Sequence, residues 1–292
     1  MWFRQRQRSG QTRIAAVLDA GSHKLCCLIG RVTPPAAPLA FAPAQVQLLG
    51  YSQQQSEGIS AGYVIDMDSA EAAIRKAIAK AEHMADVVVE GVYVTASAGR
   101  LVNDRLSAKV PIGESGVREG DIEEAILAGR RHAANHGRIP LHTRAVGFAI
   151  DAQTGILDPR GMTGSMLTVD LHSVLAEPAP LANLRLCLER VHLRMLGFAA
   201  PAYVSALAVI TPEEADAGVL VIDMGAGSTG VAVVSGGTMI YAESVKAGGQ
   251  IITRDLAKVF SISFADAERL KTLHGSAFLS PVDETGLITL ST

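Results

Sequence analysis

Aromatic residues are scarce in this chain, 4% of 292 residues with a single tryptophan. A core built from such a sequence must be largely aliphatic. An excess of either charge is missing as well: 26 basic side chains stand against 29 acidic ones, a formal net charge of −3. That balance argues against a nucleic-acid binder, which carries a basic face. There are three cysteines, Cys26, Cys27 and Cys187, and no C-x-x-C pair. The two adjacent ones sit on one apparent strand and so point to opposite faces. All three are expected to be buried thiols in a reducing cytosol. A secretory signal is lacking too. The start, MWFRQRQRSG, is basic but leads into no apolar stretch, and reads as a frayed tail. Its Trp2, Phe3 and arginines are the one local feature that could touch an anionic membrane surface. Met195–Pro212 carries no formal charge, yet it contains Gly197, Pro201, Tyr203, Ser205 and Thr211. It reads as a buried strand, LGFAA, followed by a helix opened by Pro201, and not as a membrane span.

What is present suits a globular protein of about two domains: 48% hydrophobic and 19% charged residues. Strand-like runs fall at 14–18, 25–32, 46–51, 87–96, 145–150, 166–172, 219–223 and 230–235. Helical patterns alternate with them. Asp68-Ser-Ala-Glu71 has the form of a capping box, followed by Ile74, Ala77, Ile78, Ala81 and Met84 at helical spacing. Further helices are expected at Asp121–Ala134, at about Leu181–Met195, from Gly249, and at Phe264–Leu273, capped by Ser263 and stopped by Gly275. Strands alternating with helices predict an α/β fold. TPPAAPLAFAP reads as a loop between strands. TPEEADAG (211–218) reads as a polar break between two halves.

One design occurs twice. In LDAGSHKLCCLIG an apolar run ends in Asp19, a turn follows with Gly21, Ser22 and His23, and Lys24 opens a second apolar run. In VLVIDMGAGSTGVAVVSGG the run ends in Asp223, and Gly225-Ala226-Gly227-Ser228-Thr229 makes the turn. A tight turn of small residues exposes successive backbone N–H groups, a nest for phosphate oxygens. Ser22 and Ser228 can each add a hydroxyl, and Lys24 a positive charge. An aspartate at the strand end can hold Mg²⁺ through water. A single D-x-G turn is usually only a turn. Two in corresponding places of two α/β halves would face one another and clamp a nucleotide's phosphates.

These hairpins resemble the phosphate 1 and phosphate 2 motifs of the actin/Hsp70/sugar-kinase superfamily, and within it the chain is similar to the FtsA cell-division family. DAQTGILDPRGMTGSMLTVDLHSV (151–174) resembles that family's inserted 1C subdomain. AGGQIITRDLAKVF and DAERLKTLHG resemble the segment after phosphate 2, and AGYVIDMDSAEAAIRKAIAKAEHMA the first long helix with its lead-in. The likeness runs from about Arg13 to about Ala277.

The resemblance implies an actin-like (ribonuclease H-like) α/β fold. Its expected parts are a tail at 1–12, subdomain IA at 13–91 and 176–217, the SHS2-like insertion at 92–175, and the start of a second half at 218–292. It implies phosphate contacts from Asp19, Gly21, Ser22, Lys24, Asp223, Gly225, Gly227 and Ser228. Mg²⁺ would be held through water by Asp19 and Asp223, with Glu268 and Lys271 on the ribose and adenine side of ATP. No catalytic residue is assigned. PAYVSALAVI holds no carboxylate or glutamine to position water, so nucleotide binding as a structural switch, with slow hydrolysis at best, is expected. The implied role is an adaptor on the cytoplasmic face of the inner membrane at the septum. It would link the FtsZ ring to the membrane, self-associate into protofilaments, and recruit later divisome proteins through 1C.

The pattern departs from the family in three places. Ala226 interrupts the glycine run, which is strained only if its φ is positive. His23 stands where a small residue is usual and reads as a solvent-facing turn residue. No Gly-Gly adenosine motif follows position 249 and no amphipathic helix closes the chain. The second half is therefore expected to be incomplete, ATP binding weakened or lost, and membrane anchoring to rest on the missing helix. A PilM-like pilus-assembly adaptor and a small-molecule kinase of the superfamily are the alternatives. DPRGMTG favours the division family over the first, and the position of the insertion disfavours the second.

Overall fold

The computed structural model describes residues 12–33, 44–98, 100–278 and 288. The basic start, residues 34–43 of the Pro/Ala loop, and the final stretch apart from Phe278 and Ile288 lie outside the described residues.

The chain begins as an antiparallel meander of β1 (Arg13–Ala20), β2 (Lys24–Thr33) and β3 (Gln45–Gln55). The alternation of β1 sends Ala16, Leu18 and Ala20 inward, where the register pairs them with Ile29, Cys27 and Leu25 of β2. Two short strands, β4 (Ile59–Ser60) and β5 (Tyr63–Val64), lead into α1 (Met67–Ala85). This helix buries a stripe of small and aliphatic residues, Ala70, Ala73, Ile74, Ala77, Ile78 and Ala81. It lies so close to the sheet that a Cβ at Gly50 would stand 2.2 Å from the Ala81 carbonyl oxygen. The N-cap is Asp66, whose carboxylate accepts from the Ser69 amide at 2.9 Å. The helix thus starts before the Asp68–Glu71 box expected from sequence.

Strand β6 (Gly91–Thr95) pairs in parallel with β1 and with β11 (below), giving the five-stranded order β11-β6-β1-β2-β3. The insertion expected from 92 therefore yields its first strand to this sheet. A separate four-stranded sheet follows, made of β7 (Val102–Pro111), β8 (Ile139–Ile150), β9 (Gln153–Ile156) and β10 (Met166–Ala176) in the order β7-β10-β8-β9. It is covered by α2 (Glu119–Asn135) and has its own core of Val110, Ile122, Ala125, Ile150, Leu167, Val169 and Leu171.

The chain returns through α3 (Pro178–Arg190), with proline in its first turn where the missing N–H costs nothing. The helix ends five residues before the Met195 expected. His192 adopts φ 62°, and the Leu193 amide turns back to the Leu188 carbonyl at 2.9 Å. Then come β11 (Arg194–Ala199), α4 (Pro201–Val209) and α5 (Pro212–Ala217). The polar break at 211–218 thus holds a short helix, capped by Thr211 and Glu214 acting reciprocally. Strands β12 (Val219–Met224), β13 (Thr229–Ser235) and β14 (Thr238–Val245) form a third, antiparallel sheet. The described part closes with α6 (Gly249–Phe260) and α7 (Phe264–His274), the latter capped by Ser263 as expected. No described helix is long and apolar enough to cross a membrane.

Cys27 and Cys187 are buried, but Cys26, on the alternate face of β2, is only half-buried. Leu184 of α3 is fully enclosed in the main core. Leu184→Ala is expected to cost about 2–5 kcal/mol, read as a lowered denaturant midpoint with an unchanged slope.

Candidate functional site

The two aspartate hairpins meet. Asp19 is the penultimate residue of β1 and pairs with Cys26 across the first turn. Asp223 pairs with Gly230 across the second. Both turns line one cavity of about 1060 Å³, at the upper end of small-molecule sites. Asp19, Gly21, Ser22, His23 and Lys24 come from the first turn, and Asp223 with 224–228 from the second. Phe264, Glu268 and Lys271 of α7 form a further wall. The structure therefore brings to one cavity all ten positions singled out by sequence.

The turns are built by close approach, not by unusual backbone angles. Gly21, Gly225 and Gly227 all avoid the left-handed region, and so does Ala226. The alanine in the glycine run is unstrained. Gly227 is needed for another reason: a Cβ there would lie 2.4 Å from the Ser22 hydroxyl and 3.0 Å from the Ala61 amide. The Ser22 hydroxyl itself accepts from that amide at 2.8 Å, holding Ala61 at φ 48°. The start of α6 is tied to the second turn, with the Gly249 and Gln250 amides donating to the Gly225 and Ala226 carbonyls at 3.1 and 2.8 Å.

Each aspartate is oriented by a hydroxyl from the element beside it. Thr95, at the end of β6, donates to Asp19 at 2.7 Å, and Ser205 of α4 donates to Asp223 at 2.8 Å. Burial raises the Asp19 pKa above its ordinary value. The charge of Asp223 adds to the rise, while Thr95 and Lys24 oppose it. Two carboxylates facing one cavity are a site that a cation would relieve. Among the described residues no cluster of three or more His, Cys, Asp or Glu could hold a metal ion. A cation here would have to draw most of its shell from water and ligand oxygens.

The α7 wall is a closed network. Lys271 Nζ donates to Glu268 at 2.7 Å, to the Thr253 hydroxyl at 2.8 Å and to the Gly249 carbonyl at 3.2 Å. Thr253 also donates to Glu268 at 2.5 Å. The hydrogen bond from Lys271 and that from Thr253 lower the Glu268 pKa, and the charges of Lys271 and His23 act the same way. The tip of the first turn thus lies within electrostatic reach of α7. His23 is exposed, as expected of a turn residue.

Sequence reasoning missed Thr95, Ser56, Thr253 and the glutamines of the cavity wall. Ser56 donates to the Gly21 carbonyl at 2.7 Å and fixes the first turn. Gln53 and Gln55 of β3 and Gln250 of α6 reach the cavity, so glutamines are present although α4 has none. Nothing local marks these positions; only which elements become neighbours does.

Comparison with known proteins adds the family. The model described as Cell division protein FtsA matches residues 220–291, and that of the SHS2 domain inserted in FtsA matches 99–175. FtsA from Agrobacterium fabrum is 37% identical over 97% of this chain and 64% of its own length. The Neisseria meningitidis FtsA is 33% identical over 91% of this chain and 63% of its own. The chain thus spans just under two thirds of the curated relatives it matches. A solved PilM–PilN type IV pilus biogenesis complex aligns with 89% of this chain and 70% of its own at 20% identity, with a TM-score of 0.59. That likeness speaks to the fold alone. The fold is actin-like, with the SHS2 insertion between β6 and α3.

Proposed function

Because this chain belongs to the FtsA family of cell-division proteins, we propose that its cleft is the nucleotide clamp of an actin-like adaptor that takes ATP with Mg²⁺. The observation that carries this reading is the convergence of both hairpin turns and the Glu268–Lys271 wall on one cavity. In it, the turn amides and the Ser22 and Ser228 hydroxyls donate to phosphate oxygens, and Lys24 adds charge. Asp19 and Asp223, steered by Thr95 and Ser205, accept from the water around the cation. Bound Mg²⁺ supplies the positive charge that offsets both carboxylates and the phosphates. Glu268 and Lys271 face the ribose and adenine, their positions fixed by Thr253.

The same reading assigns β1–β6, α1, α3, β11 and α4 to one subdomain, the four-stranded sheet with α2 to the insertion, and residues from 218 to the opening of the second half. It makes hydrolysis slow and the bound nucleotide a structural switch. The proposed setting is the cytoplasmic face of the inner membrane at the septum, where the protein would link FtsZ to the membrane, self-associate, and recruit later divisome proteins through the insertion. The family supports that setting.

Titration with ATP, followed by saturation-transfer NMR so that weak binding registers, tests the clamp. Binding should need Mg²⁺ and should fall about tenfold or more in Lys24→Gln, the loss of one charge-assisted phosphate contact. Binding indifferent to both Mg²⁺ and Lys24 would overturn the assignment.

A further inference from the structure

Behind the second turn lies a smaller cavity of about 340 Å³. Ser97 and Ser228 line both this cavity and the large one, so they form the wall between them. Its other polar lining is Arg100, Lys246, Glu177, Ser244 and Tyr63. Lys246 is held in place by its ammonium lying 3.8 Å from the centre of the Tyr63 ring, a contact that fixes the cation without neutralising it. Among the described residues, neither Arg100 nor Lys246 has an ion-pair partner, and the hydroxyls of Ser97, Ser228 and Ser244 have no hydrogen-bond partner. Two exposed cations, the hydroxyls of Ser97 and Ser244 and one carboxylate leave a small, net positive, donor-rich chamber open to solvent.

We propose that this chamber is an oxyanion subsite for a single inorganic phosphate. Tetrahedral oxygens match hydroxyls on several sides, with the Arg100 guanidinium and the Lys246 ammonium supplying charge. Glu177 opposes them, and so sets the affinity low enough for exchange. The location gives the subsite a consequence. Arg100 lies just after β6, where the chain leaves the first sheet for the insertion, and Glu177 lies where the insertion ends, at the N-cap of α3. Lys246 follows directly on β14. An anion there ties both roots of the inserted sheet to the third sheet and to the second phosphate turn. The inference deepens the nucleotide reading but does not need it, because inorganic phosphate can be tested alone.

Phosphorus NMR of inorganic phosphate, titrated with the folded full chain, is the test. Phosphate should bind without nucleotide. Lys246→Gln and Arg100→Gln should each weaken it by about tenfold, the scale of one charged contact. Glu177→Gln should tighten it several-fold. That carboxylate makes no helix-capping hydrogen bond, so folding is not at stake, and thermal melts would verify the other two variants. Lys109→Gln, at an exposed cation of β7 that lines neither cavity, should leave phosphate binding unchanged. If Lys24→Gln abolishes binding while the Lys246, Arg100 and Glu177 variants do not alter it, phosphate sits in the large cleft and the subsite is overturned. Absence of any binding to the folded wild-type chain overturns it too. ATP titrations of the same variants keep the clamp's own success or failure separate.

Discussion

Gly227→Ala should weaken ATP binding on the order of 100-fold, as expected when clamping groups are displaced by about an ångström. The added methyl would meet the Ser22 hydroxyl at 2.4 Å, the Ser22 Cβ at 2.9 Å and the Ala61 amide at 3.0 Å. Rotating Ser22 away does not solve the problem. Its hydroxyl would then abandon the Ala61 amide, which it caps at 2.8 Å, and its Cβ would still stand 2.9 Å from the methyl. The two phosphate turns must move apart instead. Ser22→Gly removes both offending side-chain atoms, so Gly227→Ala combined with Ser22→Gly should regain most of the affinity of Ser22→Gly alone. Such non-additivity is the mark of two residues in contact. Gly113→Ala, with nothing within 4 Å of its added carbon, is the neutral control. Fluorescent-nucleotide titration of the four variants reads the outcome. A Gly227→Ala chain that binds ATP like wild type would mean that the turns need not touch.

How much of this was legible beforehand follows from how local each feature is. The hairpins were, since an apolar run, an aspartate and a small-residue turn lie consecutively in the chain. Glu268 and Lys271 share a helix face by their spacing, and the structure joins them at 2.7 Å. Thr95 and Ser205 were illegible because a hydroxyl's partner depends on which elements become neighbours. Thr95 reaches Asp19 only through the parallel pairing of β6 with β1, a contact made across the whole of α1. β7 escaped notice because Asn103, Asp104 and Arg105 dilute its alternation, though Ala108 and Val110 do point inward. The early end of α3 escaped because a histidine, not a glycine, takes the left-handed position. At α1, two aspartates offered caps two residues apart, and composition alone does not choose between Asp66 and Asp68.

Asp19→Asn should make the ligand-free protein more stable at neutral pH while removing its response to Mg²⁺. Burial, and then the nearby Asp223 charge, raise the Asp19 pKa above its ordinary 3.8. Between 3.8 and the raised value, the folded chain holds more protons than the unfolded one, so stability falls as pH rises through that window. Above the window the full penalty of a charged Asp19 persists. Asparagine carries no charge, and its amide oxygen can keep the bond from Thr95 that now measures 2.7 Å. The variant's melting temperature should therefore exceed that of wild type at pH 7, and the two should converge as pH falls below 3.8. Ligand binding reverses the order. A carboxylate that accepts from cation-bound water makes a charge-assisted contact of roughly 1.5–3 kcal/mol, so Mg-ATP affinity should drop roughly ten- to a hundredfold. Chelating Mg²⁺ should then weaken ATP binding in wild type but change little in Asp19→Asn. A variant less stable at pH 7 that still answers to Mg²⁺ would show Asp19 to be a structural acceptor for Thr95, with the cation held elsewhere.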